Sequence, residues 1–148
     1  MGYGVGYICK KCNCDKKLYY GIGMIDNESH YSKNNFEELF HYCLDADIKN
    51  LMGLSKFIEF ENVKFEEFSG RDTYICPKCK KVETRLNFKL RAQDREFIPL
   101  YNCKYIDDND KYCGGVLKLK EENEDFILRC DFCGSEDFDM DFYEFDWD

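Results

Sequence analysis

The sequence predicts an α+β fold that is mostly β, with two cysteine-rich β-hairpin units and one helical insertion at about residues 36–52. Three observations lead to this prediction. Apolar and polar residues alternate in several short runs, as in half-buried strands. Pairs of cysteines stand at the ends of those runs. A single stretch repeats its apolar residues at the spacing of a helix.

The first 25 residues are predicted to form a β-hairpin. Residues 2–7 and residues 20–24 each alternate glycine with apolar side chains. Pairing Gly6 with Gly21 puts glycines together on one face and apolar residues together on the other, which specifies a register. Glycine in a strand often marks a place where another backbone or a ligand comes close. We expect the chain's own helix on this glycine face, with a ligand as the alternative.

The predicted helix has its own start and stop signals. Asn35 can cap it, and Glu38 completes a capping box. Gly53 is placed to end it. Cys43 lies inside the apolar stripe, so we interpret it as a core side chain rather than a metal ligand.

After the helix, the pattern is again that of strands. Residues 57–68 predict one or two short strands, and residues 82–91 alternate without a break. Shorter runs are predicted to lead into or out of cysteines at residues 74–75, 98–101, 116–120 and 126–128. The last segment, residues 135–148, has seven acids, no bases and five aromatic residues.

The composition narrows the functional classes. The 148 residues carry a formal net charge of -9, so nucleic acid could be contacted only through a local basic surface. Ten cysteines indicate either a disulfide framework in a secreted protein or metal binding in a cytosolic one. The first residues lack the features of a signal peptide, and no run is long enough to span a bilayer. We therefore expect a cytoplasmic, metal-binding protein.

Eight cysteines form four pairs, and each pair ends one predicted strand and begins another. Three pairs have the spacing C-x2-C, and the fourth has nine residues between its members. A C-x2-C turn directs both sulfurs inward and frees backbone N–H groups to bond them, which suits a tetrahedral structural zinc site. The predicted ligands of two zinc ions are Cys9, Cys12, Cys76, Cys79, Cys103, Cys113, Cys130 and Cys133.

Part of the chain resembles the zinc-ribbon family. The matching residues are Cys103, the run Cys113-Gly114-Gly115, and Cys130 with Cys133 and Gly134. The wide spacing of the Cys103 pair indicates a small insertion in that turn. The first two cysteine pairs are similar to a second ribbon. This implies one unit at residues 1–100, split by an insertion at about 26–71, and a second unit at residues 101–148.

The sequence does not fix which pairs share an ion. Sequential use, with the first two pairs at one ion and the last two at the other, is favoured because adjacent elements usually pair in space. Cys14 could replace Cys12 as a ligand. His30 and His41 could also be ligands, although four cysteines per site are available without them.

No assembled catalytic site is found in the sequence. A catalytic zinc keeps one position open for water and usually has histidine or carboxylate ligands. The chain has two histidines and neither an H-E-x-x-H nor an H-x-E motif. A thioredoxin-like role for a C-x2-C pair would need a helix after the pair, where charged strands are predicted instead. We expect a non-enzymatic protein with structural zinc.

The first binding hypothesis is a protein-interaction adaptor or regulator. Aromatic and apolar residues at 138–142 alternate with acids, and the parity then shifts, so that Tyr143, Phe145 and Trp147 face the other side. The first set is expected to complete the second ribbon's sheet. The second set is expected to dock on a partner protein, the alternative being that it covers the chain's own core.

The second hypothesis is a nucleic-acid-binding zinc-ribbon protein that uses residues 76–95. This stretch holds seven basic and two acidic residues. Arg85, Lys89 and Arg91 share one face of the predicted strand. Lysines around Cys9 could extend this surface if the first two cysteine pairs shared an ion. The alternative, favoured by the net charge, is a solvated face paired with the protein's own acids.

Overall fold

The computed structural model describes residues 1–23 and 63–147. The predicted helix at 36–52, with Cys43, His30 and His41, lies outside the described residues. The described part is mostly β and contains no helix. Its seven strands are β1 (Gly2–Cys9), β2 (Asp15–Tyr20), β3 (Lys64–Ile75), β4 (Val82–Ala92), β5 (Arg95–Phe97), β6 (Lys118–Leu119) and β7 (Phe138–Trp147).

The strands form two sheets. The first has the order β2-β1-β7, and the second has the order β5-β4-β3-β6. All the pairings between strands are antiparallel. The last strand of the described chain therefore pairs with the first, and this return of the chain brings the C-terminal cysteines to the N-terminal hairpin.

The N-terminal hairpin is confirmed, but its predicted register is wrong. Gly6 lies opposite Lys17 rather than Gly21, and Tyr3 lies opposite Tyr20. The turn sets this register, because the N–H of Cys9 donates to the carbonyl of Cys14 at 3.0 Å and closes the hairpin around the cysteines. The geometry of this turn, and not the pairing of glycine with glycine, therefore determines the register of the two strands.

The glycine face of β1 is covered by aromatic rings of β7. Gly4 lies opposite Phe145, and Gly6 lies opposite Tyr143. A Cβ atom on either glycine would stand 2.3 Å from the Cζ atom of the opposing ring, so only glycine leaves room for it. Trp147 lies opposite Gly2, and its Nε1 donates to the carbonyls of Tyr3 at 3.0 Å and Tyr20 at 3.2 Å.

These contacts correct the role predicted for one set of tail aromatics. Tyr143, Phe145 and Trp147 do lie on the face of β7 opposite Phe142, as the alternation predicts. They pack on the chain's own first strand instead of standing free, which supports the alternative that they cover the protein's own core.

The main core lies against the second sheet. Leu86, Phe88 and Leu90 of β4 are buried with Phe97 and Tyr101. Tyr101 is fully buried, and its hydroxyl donates to the carbonyl of Leu86 at 2.8 Å.

The two sheets pack on each other through a small apolar cluster. Leu18 of the first sheet packs with Ile75 and Val82 of the second. Gly21 and Arg71 exchange two backbone hydrogen bonds, of 2.8 and 2.7 Å. The hairpin that carries Cys9 is therefore held against the β3–β4 hairpin.

The other strand predictions are confirmed in part. The run at 82–91 is a strand, β4, as predicted. Strand β3 begins at Lys64, inside the range assigned to the insertion. Residues 98–100 are not in a strand, and in the run at 126–128 only Ile127 forms a bridge, with Lys81. Strand β5 follows a turn at Gln93 that the sequence does not indicate.

Candidate metal centres

The eight cysteines predicted as ligands lie in two groups of four. We call the first the outer cluster, made of Cys9, Cys12, Cys130 and Cys133. The second, the inner cluster, is made of Cys76, Cys79, Cys103 and Cys113. Within each cluster the sulfur atoms all lie within 4.8 Å of one another. The predicted sequential pairing is therefore wrong, because the inner cluster is nested between the two halves of the outer one.

The strand pairings explain this nesting. Cys9 lies opposite Phe138 at the start of β7, so the turn just before β7 reaches the turn at the end of β1. The inner cluster forms where the turn between β3 and β4 meets the segment that follows Tyr101. The carbonyl of Tyr101 accepts a hydrogen bond from the N–H of Leu117 at 2.8 Å. Each cluster draws ligands from both sides of residue 100, so the units predicted at 1–100 and 101–148 do not each hold a cluster.

The sulfur geometry fits a bound ion better than a disulfide. Sγ–Sγ distances between the cysteine pairs of each cluster are 3.4 to 3.6 Å. A disulfide would require about 2.05 Å. Metal–sulfur bonds of about 2.3 Å in a tetrahedron place the sulfurs about 3.8 Å apart. Both clusters could therefore hold a tetrahedrally coordinated metal ion.

The three C-x2-C turns share one backbone conformation. In each, the first cysteine donates its N–H to the carbonyl five residues on and accepts at its carbonyl from the N–H four residues on. At Cys9 these bonds join Cys14 at 3.0 Å and Asn13 at 2.8 Å. The residue after the second cysteine has a positive φ, namely 59° at Asn13, 62° at Lys80 and 70° at Gly134. Residues far apart in sequence thus form the same ligand-presenting turn.

In the fourth pair, as in the three C-x2-C turns, the residue after the second cysteine has a positive φ, although the two cysteines are more widely spaced. Ile106 and Tyr112 form an antiparallel bridge, so the extra residues between Cys103 and Cys113, predicted as a small insertion, form a miniature hairpin. Gly114 follows the second cysteine with a φ of 65°. A Cβ atom on the next residue, Gly115, would stand 2.4 Å from the Cys76 sulfur, so glycine is needed for the backbone to pass the ligand.

Hydrogen bonds lower the pKa of the first thiol in each of the three C-x2-C turns. Burial alone raises the pKa of Cys9, but hydrogen bonds from backbone N–H groups and neighbouring thiols lower it to about 7. The same combination lowers the pKa of Cys76 and of Cys130. Burial raises the pKa of Cys79 and Cys103, and the neighbouring Cys76 thiol raises both further. All four thiols of a cluster must be deprotonated to bind a metal ion, so metal binding is expected to release protons.

An ion pair between the buried Lys16 side chain and the exposed Asp131 side chain joins β2 to the second turn of the outer cluster. Lys16 on β2 is only 9% exposed, and its Nζ lies 2.9 and 2.8 Å from the two carboxylate oxygens of Asp131. Asp131 stands between Cys130 and Cys133 in the second turn. The sequence does not indicate this pair, because nothing in the alternation of β2 distinguishes Lys16 from an exposed lysine.

The other candidate ligands lie outside both clusters or outside the described residues. Cys14 is excluded from the outer cluster and donates to the carbonyl of Cys12 at 3.7 Å, so Cys12 holds the ligand position.

The basic strand is paired with the protein's own acids. The Lys89 Nζ lies 2.8 Å from Glu66 and 3.3 Å from Glu96, and the Arg91 Nε donates to Glu66 at 2.7 Å. Arg85 forms an ion pair with Glu83. The turns at Cys9 and Cys76 also belong to different clusters, which removes the premise that their lysines share one surface.

Comparisons of the chain with protein-family models, with curated proteins and with solved structures find no match. Among the described residues, no helix has the length and apolar character needed to cross a membrane. The sulfur geometry of the two clusters is the observation that supports metal binding.

The residue with a positive φ in these turns leads to a prediction about stability. Introducing a side chain there should lower the free energy of unfolding, and removing one should raise it. A Cβ atom on Gly134 would meet nothing within 4 Å, so Gly134→Ala tests backbone strain alone and should destabilise the protein by about 1 kcal/mol. Lys80 has the same conformation, so Lys80→Gly should not destabilise and should raise stability by up to about 1 kcal/mol. Urea unfolding of the metal-loaded protein measures both. Equal losses in the two variants would contradict the shared turn conformation.

Proposed function

We propose that this chain is a non-enzymatic protein-interaction adaptor or regulator whose fold depends on two structural zinc ions. The observation that carries the proposal is the composition of the clusters, since all four positions of each are thiols. A catalytic zinc keeps a position open for water and usually has histidine or carboxylate ligands. Four thiolates that also accept backbone hydrogen bonds leave no such position.

Zinc is the metal that we assign to both clusters. A tetrahedral set of four sulfurs suits zinc or iron, and the resemblance of the cysteine turns to zinc ribbons favours zinc. The proposal includes a reducing, cytoplasmic location, where cysteine-rich patterns bind metal rather than form disulfides.

Charge favours a protein partner over nucleic acid. Each zinc ion with four thiolates contributes about -2, because ligating cysteines are deprotonated. Two such sites bring the formal charge of -9 to about -13. The strand that carries Arg85, Lys89 and Arg91 is already paired with glutamates, so no unpaired basic surface on it supports phosphate binding.

The two partner classes can be separated by binding measurements. We expect no binding of duplex DNA or single-stranded RNA tighter than about 100 μM at physiological salt. We expect crosslinking in native cells, followed by purification under denaturing conditions, to recover a protein partner. The proposal fails if nucleic acid binds tightly and salt-sensitively, and if Arg85→Ala with Lys89→Ala abolishes that binding.

A further inference from the structure

Strand β7 has one edge that no described residue pairs with. It ends the sheet order β2-β1-β7, and among the described strands it pairs with β1 alone. The N–H of Cys9 points toward β2, and the backbone groups of successive residues in a strand point to opposite edges. The even-numbered residues of β1, including Gly4 and Gly6, therefore direct their backbone groups toward β7. The residues opposite them, Phe145 and Tyr143, direct their own backbone N–H and C=O groups toward β1. The backbone groups of the alternate residues Phe142 and Glu144 therefore point outward, away from β1.

An apolar groove adjoins the first half of this strand. Its volume is about 480 Å³, and it is lined mainly by Tyr7, Phe126, Ile127, Leu128, Phe138 and Met140. Met140 is 91% exposed and Phe142 is 54% exposed. These two side chains lie on the face of β7 opposite the rings that pack on the glycines, so they remain accessible.

The free edge is strongly acidic. Asp139, Asp141, Glu144 and Asp146 lie on β7, and none of them forms an ion pair with a described residue. A second copy of β7 on this edge would bring like charges together, which opposes self-association. The same charges attract a basic strand, whose apolar side chains could enter the groove.

We propose that the free edge of β7 and the groove beside it bind an extended, alternating basic and apolar segment of a partner protein. The segment adds a fourth strand to the sheet β2-β1-β7, and backbone hydrogen bonds to the outward groups of β7 supply part of the affinity. Its bases meet the acids of β7, and one apolar side chain fills the groove. This inference rests on the proposed protein-interaction function and names its surface.

The probe is a blocked eight-residue peptide that alternates lysine with valine, titrated into the zinc-loaded full chain by calorimetry. A peptide with glutamate in place of lysine is the charge control, and we expect no binding of it. Affinity for the lysine peptide should fall at least about tenfold when the salt rises from about 0.05 to 0.5 M. Amide chemical shifts should move in β7 and in residues 126–128.

Two variants test the two halves of the proposal. Glu144→Pro removes an outward N–H without removing one that faces β1, and it should weaken the peptide at least about tenfold if an edge is being extended. Asp141→Lys with Glu144→Lys should weaken it by a similar factor. The matched control is Asp94→Lys with Asp108→Lys, which makes the same charge change at exposed sites elsewhere and should weaken binding less than about threefold. Each variant should retain the metal content of the wild type.

The outcomes separate this surface from the wider function. Peptide binding that survives Glu144→Pro, or that the control variant weakens equally, overturns the edge proposal. Crosslinking in native cells then decides the function. A protein captured equally by the wild type and the edge variants leaves the adaptor function in place at another surface, whereas capture of no protein by the wild type overturns both.

Discussion

Replacing the four cysteines of the outer cluster, Cys9, Cys12, Cys130 and Cys133, with serine is expected to leave one metal ion bound per chain. The inner cluster should persist, because its ligands come from a compact stretch around β3 and β4 with its own buried core. The first sheet should lose its order, since metal binding and folding are coupled in small domains. Metal content by elemental analysis, with amide spectra of the second sheet, measures the result.

A second four-cysteine variant is the matched control. It replaces Cys9, Cys12, Cys76 and Cys79, the set that sequential pairing would assign to one ion. In the nested arrangement this variant breaks both clusters and should retain no tightly bound metal. If it retains one ion while the outer-cluster variant retains none, the nested arrangement is wrong and the sequential one is right.

Ending the chain after Phe142 is expected to destabilise the first sheet severely. The deletion removes Tyr143, Phe145 and Trp147, which fill the space above the glycines of β1. Loss of the partly buried Phe145 and Trp147, together with the more exposed Tyr143, should cost about 3 kcal/mol or more. Circular dichroism during urea unfolding measures this. A truncated chain as stable as the full one would show that these rings do not belong to the core.

A double-mutant cycle tests the specific contact. Gly4→Ala should destabilise by about 1 to 3 kcal/mol because the added methyl group meets the Phe145 ring. Phe145→Ala should cost about 2 kcal/mol on its own. The two changes together should be less than additive by about 1 kcal/mol or more. Met140→Ala lies on the other face, and its effect should add to that of Gly4→Ala within about 0.5 kcal/mol.

The local chemistry of the sites could be predicted from the sequence, because a C-x2-C turn is a local structure. All eight predicted ligands lie in the two clusters, and the small insertion that the spacing indicates after Cys103 is present, as a miniature hairpin. The combination of turns could not be predicted in this way. It depends on the pairing of β7 with β1, strands separated by most of the chain.

The register of the hairpin and the role of the tail were missed for a related reason. The alternation predicts that the glycines of β1 pair with the nearest other glycines, whereas the aromatic residues of β7 lie opposite them in the structure. Both alternations are present in the structure, and the glycines of β1 and the aromatic residues of β7 cover each other although they are far apart in sequence. Alternation identifies the face of a strand but not the strand that covers it.

X-ray absorption at the zinc edge, combined with elemental analysis of protein purified without added metal, tests the central claim most directly. We expect two zinc ions per chain, each with four sulfur neighbours at about 2.3 Å and no nitrogen or oxygen neighbour. A chain that binds no metal or contains disulfides, or a zinc spectrum with nitrogen or oxygen in the first coordination sphere, would contradict two structural sites made of cysteine alone.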